Sequence, residues 1–391
     1  MYILICNAGS TSLKFKLYDM PAERVLARGH IERVGSRDDA VFKYYAGGYS
    51  LEQAGRDVPD YETGIRLFLT CLTRGEGAVI SDANEIARVG YKATLSKGHY
   101  GVHELTDEVL SGMAEWISLA PLHNRVYLDV IRAMREVIPG ARSVGAFETG
   151  FHRTIPLERR IFGLPYEWYE RYGVERLGYH GASHGHVADV LSAERERYKA
   201  ISCHLGGSCS VCAIEDGRSV DTSFGMSLES GLIHANRVGD LDPGMIWFLR
   251  GQGLSDGEIR EGFTKTGGLL GISGVSNDLR YVLDAAREGN ERAELAARVF
   301  VTGIVRYIGA FYLELGGLDY LVFTAGIGEN SAEIRRRVCE RLAPIGVVLD
   351  AKANERTRGE GIISAPESAV TVRVIPADEE LSIARRAYEL E

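Results

Sequence analysis

Residues 1–20, MYILICNAGSTSLKFKLYDM, decide the fold that this sequence predicts. Residues 2–6 form an apolar run of strand length, and residues 13–18 alternate apolar and charged side chains with the two-residue period of a strand. The segment between them, Asn7-Ala8-Gly9-Ser10-Thr11-Ser12, is small and rich in hydroxyl groups, which is typical of a turn. The sequence therefore predicts a β-hairpin with a six-residue turn.

This turn has the chemistry of a phosphate site. Gly9 lets the backbone approach a ligand closely, the hydroxyls of Ser10 and Ser12 can donate hydrogen bonds, and Lys14 supplies positive charge. The spacing of a Walker A loop is missing, and a strand rather than a helix follows. A serine-rich hairpin without a ligand is the alternative interpretation.

The composition indicates an ordinary soluble protein of two or three domains. The chain has 391 residues, 45% of them hydrophobic, and a net charge of −9. This charge argues against nucleic acid or an anionic membrane as the main partner, although a local pocket can still bind a small anion. We expect the six cysteines to be buried apolar residues rather than disulfides or a zinc site. We also expect no signal peptide and no membrane span, and hence a cytoplasmic location.

A second hairpin repeats the first. Residues 200–214, AISCHLGGSCSVCAI, read as strand, glycine-serine turn and strand. Further along, an apolar strand at 320–324 meets Gly326-Ile327-Gly328, where a nucleotide could lie against bare backbone. Two halves that each begin with such a hairpin predict a duplicated α/β fold with a cleft between the halves. Residue 330, with Glu333, is expected to start a helix over 332–342.

Several charged residues stand out. Arg88 lies in an otherwise apolar strand, and Arg237 lies in a polar turn. Two such guanidiniums can bind a carboxylate and a transferring phosphoryl group, whereas a buried ion pair and a solvated loop are the alternatives. Glu148 and Glu379 are candidate carboxylates on the Mg²⁺ side of an ATP site, or else ordinary solvated carboxylates. Each histidine taken alone is more often structural.

The motifs taken together resemble the acetate kinase family. They run in the family's order over nearly the whole chain: residues 7–14 NAGSTSLK, 119–124 LAPLHN, 178–184 GYHGASH, 204–206 HLG, 221–223 DTS, 239–244 GDLDPG, 273–280 SGVSNDLR, 323–331 FTAGIGENS and 376–381 PADEEL. The resemblance implies a duplicated actin-like ATPase (ribonuclease H-like) fold with two domains around a cleft. It also implies a homodimer. We expect the domains to cover residues 1–150, completed by a helix over about 381–391, and residues 151–380.

The resemblance implies that ATP and a short-chain carboxylate react to give ADP and an acyl phosphate by direct in-line phosphoryl transfer. Acetate is the expected acid. A kinase for propionate, butyrate or a substituted acid is one alternative, and a catalytically weak ATP-binding regulator of the same fold is another.

The resemblance also assigns roles to individual residues. Metal binding, with Mg²⁺ as the expected ion, falls to Asn7 and Glu379. Catalysis falls to Arg88, Glu148, His180 and Arg237. Acid binding falls to Arg88, Gly90, Leu122, Tyr179 and Leu228. ATP binding falls to Ser10, Ser12, Lys14, His204, Gly206, Gly207, Asp278, Arg280, Gly326, Ile327, Gly328 and Asn330.

The sequence also departs from the family's pattern. The family's strand HRVVHGG reads ARVGYKA at residues 87–93, and its usual aspartate is Glu148. A family Val, Phe and Pro of the acyl pocket are Gly90, Tyr179 and Leu228 here. We expect Gly90 to remove volume beside the acyl group and Tyr179 to add a hydroxyl. Since pocket volume discriminates by only about 1–3 kcal/mol per methylene, a longer or more polar acid is a reasonable alternative to acetate.

Overall fold

The computed structural model describes all 391 residues, except for the side chain of Leu122. The chain forms two compact units. Unit 1 consists of Met1–Gly150 together with Asp378–Glu391, and unit 2 consists of Phe151–Ala377.

Unit 1 contains one eight-stranded sheet. Its strands are β1 (Tyr2–Gly9), β2 (Ser12–Asp19), β3 (Arg24–Glu32), β4 (Ser36–Ala46), β5 (Tyr49–Val58), β6 (Ile86–Ala93), β7 (Val102–Glu104) and β8 (Arg142–Phe147). They lie in the order β5-β4-β3-β2-β1-β6-β8-β7. β6 pairs in parallel with both β1 and β8, whereas the first five strands form an antiparallel meander. β5 was not predicted, because it carries many polar, exposed side chains and lies at the edge of the sheet.

The first hairpin is confirmed, but its turn is shorter than predicted. The strand pairing continues through Asn7 opposite Lys14 to Gly9 opposite Ser12, so that only Ser10 and Thr11 connect the strands. The prediction of a six-residue turn was therefore wrong. The small residues at 7–9 lack the apolar alternation of a strand. They nevertheless pair with the start of β2, where the buried Leu13 fixes the register.

The helices of unit 1 cover both faces of its sheet. They are α1 (Tyr61–Thr73), α2 (Asp107–Glu115), α3 (Pro121–Val137) and α15 (Glu379–Glu389). Alternate strand residues point to opposite faces, so Leu4 packs in a core with residues of α1 and α3, while Ile3 and Ile5 pack with Ile383 and Ala387 of α15. The C-terminal helix therefore belongs to unit 1.

Unit 2 contains a six-stranded sheet of the same design. Its strands are β9 (Lys199–Leu205), β10 (Cys209–Glu215), β11 (Arg218–Thr222), β12 (Tyr320–Thr324), β13 (Gly361–Ile362) and β14 (Thr371–Val374), in the order β11-β10-β9-β12-β14-β13. Three antiparallel strands followed by two parallel ones repeat β3-β2-β1-β6-β8 of unit 1. The predicted duplication of the fold is therefore confirmed.

The remaining helices belong to unit 2. They are α4 (Leu157–Arg160), α5 (Tyr166–Tyr172), α6 (Gly181–Glu194), α7 (Gly244–Gly251), α8 (Asp256–Thr264), α9 (Gly268–Ser273), α10 (Leu279–Arg287), α11 (Glu291–Leu315), α12 (Ala325–Asn330), α13 (Ala332–Arg341) and α14 (Ala351–Arg356). By length and composition alone, α11 could cross a membrane. Phe300, Ile304 and Ile308 of this helix are fully buried in the core of unit 2, which is typical of the core helix of a globular protein.

The connection from β12 to the following helices differs from the prediction in two ways. The turn is made by Ala325, whose φ of +64° is left-handed, and the glycines after it are already in α12. Ser331 rather than Asn330 caps α13, because its side chain accepts a hydrogen bond from the backbone N–H of Ile334. Asn330 instead ends α12, where its side-chain amide donates to the carbonyl of Gly326 at 2.8 Å.

All six cysteines are free thiols in the structure, and five of them are buried. This agrees with their interpretation as small apolar residues. Among the residues that the structure describes, no group of three His, Cys, Asp or Glu side chains is placed to hold a metal ion.

Candidate functional site

Unit 2 contains a cavity of about 900 Å³ that collects most of the predicted ATP-binding residues. Three elements surround it: the turn between β9 and β10, the start of α10, and α12 with the residues that follow it. The predicted residues that line it are Gly206, Gly207, Asp278, Arg280, Gly326, Ile327 and Asn330. These residues come from three distant parts of the chain, and the fold brings them to one place.

The glycines around this cavity lack a side chain for different structural reasons. A Cβ atom added to Gly207 or Gly326 would meet no atom within 4 Å, so the missing side chains leave room on the cavity side. A Cβ atom on Gly328 would lie 3.3 Å from the backbone of Phe323, because α12 packs closely over the end of β12 there. Gly328 does not line the described cavity, and its small size serves packing.

Asp278 and Arg280 are bonded to each other at the N-terminus of α10. The carboxylate of Asp278 caps the helix by accepting from the backbone N–H of Arg280 at 2.9 Å. It also pairs with the Arg280 guanidinium at 2.6 Å, and these hydrogen bonds lower the pKa of Asp278. The guanidinium itself is largely exposed, so it can reach a ligand in the cavity while Asp278 restrains it.

Beside the turn of the second hairpin lies a buried cluster of histidines and serines. His180, at the start of α6, stacks on His204 with 3.9 Å between the ring centroids. Its Nδ1 is 2.8 Å from the hydroxyl of Ser210, and Nδ1 of His204 is 2.8 Å from the hydroxyl of Ser183. His184 joins the cluster through Ser210, at 2.7 Å. These contacts fix the orientation of the two predicted site histidines.

His180 is also held by an unusual backbone conformation. Its φ of +59° is left-handed, which costs roughly 1–3 kcal/mol in a residue other than glycine. Such a cost is tolerated where the surroundings require one side-chain position. This conformation and the contacts of Ser210 and His184 were not predicted from the sequence.

Arg237, Tyr179 and Leu228, predicted to bind the phosphoryl group and the acid, lie around the segment after β11. The guanidinium of Arg237 donates to the carbonyl of Leu228 at 2.6 Å, and burial lowers the pKa of Arg237. The hydroxyl of Tyr179 donates to the carbonyl of Met226 at 2.6 Å, while its ring meets Phe224 edge-on. The hydroxyl that Tyr179 adds is therefore satisfied by the protein itself.

In unit 1, the N-terminus of α15 meets the carboxyl ends of β1 and β6. Nζ of Lys92 lies 2.6 Å from Oε2 of Glu379 and 4.0 Å from Oε2 of Glu148, so both predicted carboxylates adjoin one cation. Next to them, Glu380 pairs with Lys16 at 2.5 Å and accepts from the side-chain amide of Asn7 at 3.1 Å. Lys92 was not predicted as a site residue, although it is the only lysine of β6 and has apolar or aromatic neighbours on both sides in the sequence.

The donor set at this place suits a hard divalent cation. The side-chain oxygen of Asn7 is buried and accepts no hydrogen bond from any described residue, and Glu379 supplies a carboxylate. Mg²⁺ at a nucleotide site usually takes one or two protein oxygens and completes its shell with water and phosphates. The predicted pair Asn7 and Glu379 therefore fits such an ion in chemistry.

The first hairpin supplies the other predicted phosphate groups of unit 1. Ser10 lies in the exposed two-residue turn, and Ser12 begins β2 opposite Gly9. Lys14 stands opposite Asn7 in the pairing of β1 with β2, so the two side chains emerge on the same face of the sheet, and Lys14 is exposed.

Two predictions about the acid site disagree with the contacts in unit 1. The guanidinium of Arg88 donates to the backbone carbonyls of Ala387 and Tyr388, at the opposite end of α15 from Glu379. A Cβ atom on Gly90 would lie 2.7 Å from Ile5 and 3.0 Å from Ile383, so the space that a valine would take is filled by the core beneath α15. Gly90 therefore opens no volume there, because a helix far along the chain packs into it.

Leu122, the fourth predicted residue of the acyl pocket, lies at the start of α3. Its side chain lies outside the described part of the structure.

Comparison with known proteins assigns the family. Residues 2–385 match the model of the acetokinase family. The chain belongs to this family. It is 41% identical to an acetate kinase of Bacillus velezensis, with 99% of each chain covered. Acetate kinases are phosphotransferases with a carboxyl group as acceptor, and they use ATP and a divalent metal.

Solved structures confirm the actin-like fold of the family. The crystal structure of Porphyromonas gingivalis acetate kinase matches with a TM-score of 0.90 at 38% identity, covering 99% of this chain and 98% of that one. A propionate kinase from Francisella tularensis matches with a TM-score of 0.92 at 29% identity over the full length of both chains.

Buried neutral histidines should make unit 2 sensitive to acid. Burial lowers the pKa of His152 to about 4 and that of His234 to about 3. An unfolded histidine takes up its proton near pH 6.5, so the unfolded state binds more protons below that pH, and stability is lost as the pH falls from 6.5 towards 4. Each such histidine should cost about 1.4 kcal/mol per pH unit in this window.

Replacing His152 tests this directly. We expect the free energy of unfolding of His152→Gln, measured by urea titration, to fall by about 2 kcal/mol less than that of the wild type between pH 7 and pH 5. An equal fall in both proteins would contradict the neutral, buried state of His152.

Proposed function

We propose that this chain is an ATP-dependent carboxylate kinase that converts acetate and ATP into acetyl phosphate and ADP. The observation that carries the proposal is the cavity of unit 2, where glycine turns and the start of α10 meet within the fold of a carboxylate-kinase family. A volume of about 900 Å³ is ample for an adenine nucleotide, since small-molecule pockets usually measure about 300–1,000 Å³.

The proposed reaction is a single in-line transfer. A carboxylate oxygen of the acid attacks the γ-phosphorus of ATP, a new P–O bond forms, and the bond to the ADP oxygen breaks with its electron pair leaving on ADP. The acid is already ionised at neutral pH, so no general base is needed. The protein has to position the reactants and balance the charge on the transferring group.

In unit 2, Arg237 and His180 are suited to this task. The Arg237 guanidinium is largely buried, and its one described hydrogen bond goes to the backbone carbonyl of Leu228. Held in a partly desolvated place, it is a stronger partner for phosphoryl oxygens than an exposed arginine. His180 has a fixed ring orientation because it stacks on His204 and contacts Ser210. We propose that both contact the transferring group.

In unit 1, we propose that Ser10, Ser12 and Lys14 contact phosphates, and that Asn7 and Glu379 hold Mg²⁺. When bound, the metal supplies positive charge to the phosphate oxygens. Glu148 is buried beside Lys92 and suits a positioning role rather than that of a proton acceptor.

Acetate is favoured over longer acids by two contacts. The space freed at Gly90 is filled by Ile5 and Ile383, and the hydroxyl of Tyr179 is bound to a backbone carbonyl. Neither departure from the family's pattern therefore provides room or an open polar group for a larger acid. Propionate remains the second candidate, because a propionate kinase shares the fold over the full chain. The cytoplasmic location and the homodimer stay predictions.

An assay across acids tests the proposed activity. The purified protein, with ATP and Mg²⁺, should release ADP and form hydroxamate-reactive acyl phosphate with acetate, at a higher kcat/KM than with propionate, butyrate or valerate. A preference for propionate would favour the second candidate. Absence of ADP release with every acid would overturn the kinase proposal and favour an ATP-binding regulator.

A substitution at Arg237 tests its role in transfer. We expect Arg237→Ala to lower kcat by about 10²–10³-fold, since a preorganised donor to developing charge is removed, and to weaken ATP binding by less than about threefold. Arg336→Ala is a suitable control, because Arg336 forms only an exposed pair with Glu340. Equal losses of kcat and ATP affinity in Arg237→Ala would contradict the assigned role.

A further inference from the structure

Lys92 is the central charge of the polar cluster in unit 1. It lies on β6 one position beyond Tyr91, which pairs with Cys6, so it is next to Asn7 at the ends of two parallel strands. Its ammonium contacts Glu379 at 2.6 Å and lies 4.0 Å from Glu148. The side chains of Lys92, Glu148 and Glu379 are 26%, 6% and 20% exposed, so solvent screens these charges only in part.

The ammonium of Lys92 lies between two carboxylates, those of Glu379 and Glu148. Lys16 is paired instead with Glu380. Lys92 is thus a cation that adjoins both Glu148 and Glu379.

The carboxylate of Glu379 is also, with Asn7, one of the two side chains suited to a divalent cation. A metal ion at Glu379 needs lone pairs of the carboxylate, and Oε2 of that carboxylate already accepts a short, charge-assisted hydrogen bond from Lys92. A divalent cation placed beside this ammonium would also be repelled by it. The ammonium and a metal ion therefore compete for this oxygen.

We propose that Lys92 is a built-in competitor of the divalent metal, which binds Glu379 only when the ammonium of Lys92 leaves it. This inference rests on the proposed assignment of Glu379 to the metal. Lys92 weakens metal binding in unit 1, and it keeps one positive charge beside Glu379 and Glu148 while no metal is bound. A flexible four-carbon stem allows the ammonium to move away without a change of the backbone.

Direct measurement of Mn²⁺ binding tests this inference without any turnover. Free Mn²⁺ is quantified by electron paramagnetic resonance in titrations of the full-length protein with ADP and without acid. The variants are Lys92→Met, which keeps most of the side chain's volume, and Lys92→Gly, which introduces the residue of the family's motif. Lys97→Met is the matched control, because Lys97 forms a pair of the same 2.6 Å length with Glu115 on the exposed surface.

We expect both Lys92 variants to bind Mn²⁺ about tenfold more tightly than the wild type, since a group beside a metal ligand typically changes affinity by 10- to 100-fold. The control should stay within about twofold, because exposed ion pairs contribute little. Unchanged or weaker Mn²⁺ binding in folded Lys92 variants would overturn the proposal. Loss of kinase activity alone would not produce this pattern, so the two proposals fail in different ways.

The wild-type protein provides a second test that does not depend on how a variant folds. Crystals grown with ADP and Mn²⁺ locate the metal by its anomalous scattering. We expect Mn²⁺ on Glu379, with Nζ of Lys92 more than about 4 Å from that carboxylate, beyond the range of an ion pair. Mn²⁺ on Glu379 with the ion pair still formed, or Mn²⁺ bound away from Glu379, would overturn the proposal.

Discussion

The packing of the C-terminal helix on the first sheet is the interaction on which unit 1 depends. Ile383 and Ala387 of α15 fill the space over Ile5 and Gly90, and the guanidinium of Arg88 bonds to the carbonyls at the helix end. This packing brings the start of the helix to the ends of β1 and β6. The contacts of Glu379 with Lys92, and of Glu380 with Asn7 and Lys16, follow from it. Part of the site is therefore assembled by the last residues of the chain.

The two units treat polar groups in different ways. In unit 2, histidines and serines hold each other in place through hydrogen bonds, and Arg237 bonds to a backbone carbonyl. In unit 1, lysines and glutamates form paired charges at the ends of the strands. A neutral network fixes geometry with little dependence on salt, whereas paired charges can exchange one cation for another. The polar groups of unit 2 are therefore held mainly by hydrogen bonds, and those of unit 1 mainly by ion pairs.

Local patterns in the sequence were sufficient for the fold and for the glycines that line the cavity of unit 2. Period-two alternation and glycine-serine turns gave both hairpins, and the glycines at 206–207 and 326 marked the walls of the cavity. What could not be predicted depended on contacts between distant residues. Neither the docking of Ile383 over Gly90 nor the bonds of Arg88 to α15 can be read from their neighbours in the sequence. Likewise, the contacts of Lys92 with two glutamates arise only from the fold.

The most direct test of the account follows the oxygen atoms of the acid. The protein is incubated with ATP, Mg²⁺ and acetate that carries ¹⁸O in both carboxyl oxygens, and the products are observed by ³¹P nuclear magnetic resonance. Direct attack of the carboxylate predicts an acetyl phosphate signal with the isotope shift of one ¹⁸O in the bridge between carbon and phosphorus, and unlabelled ADP. The absence of acetyl phosphate, or a signal without this shift, would contradict the account.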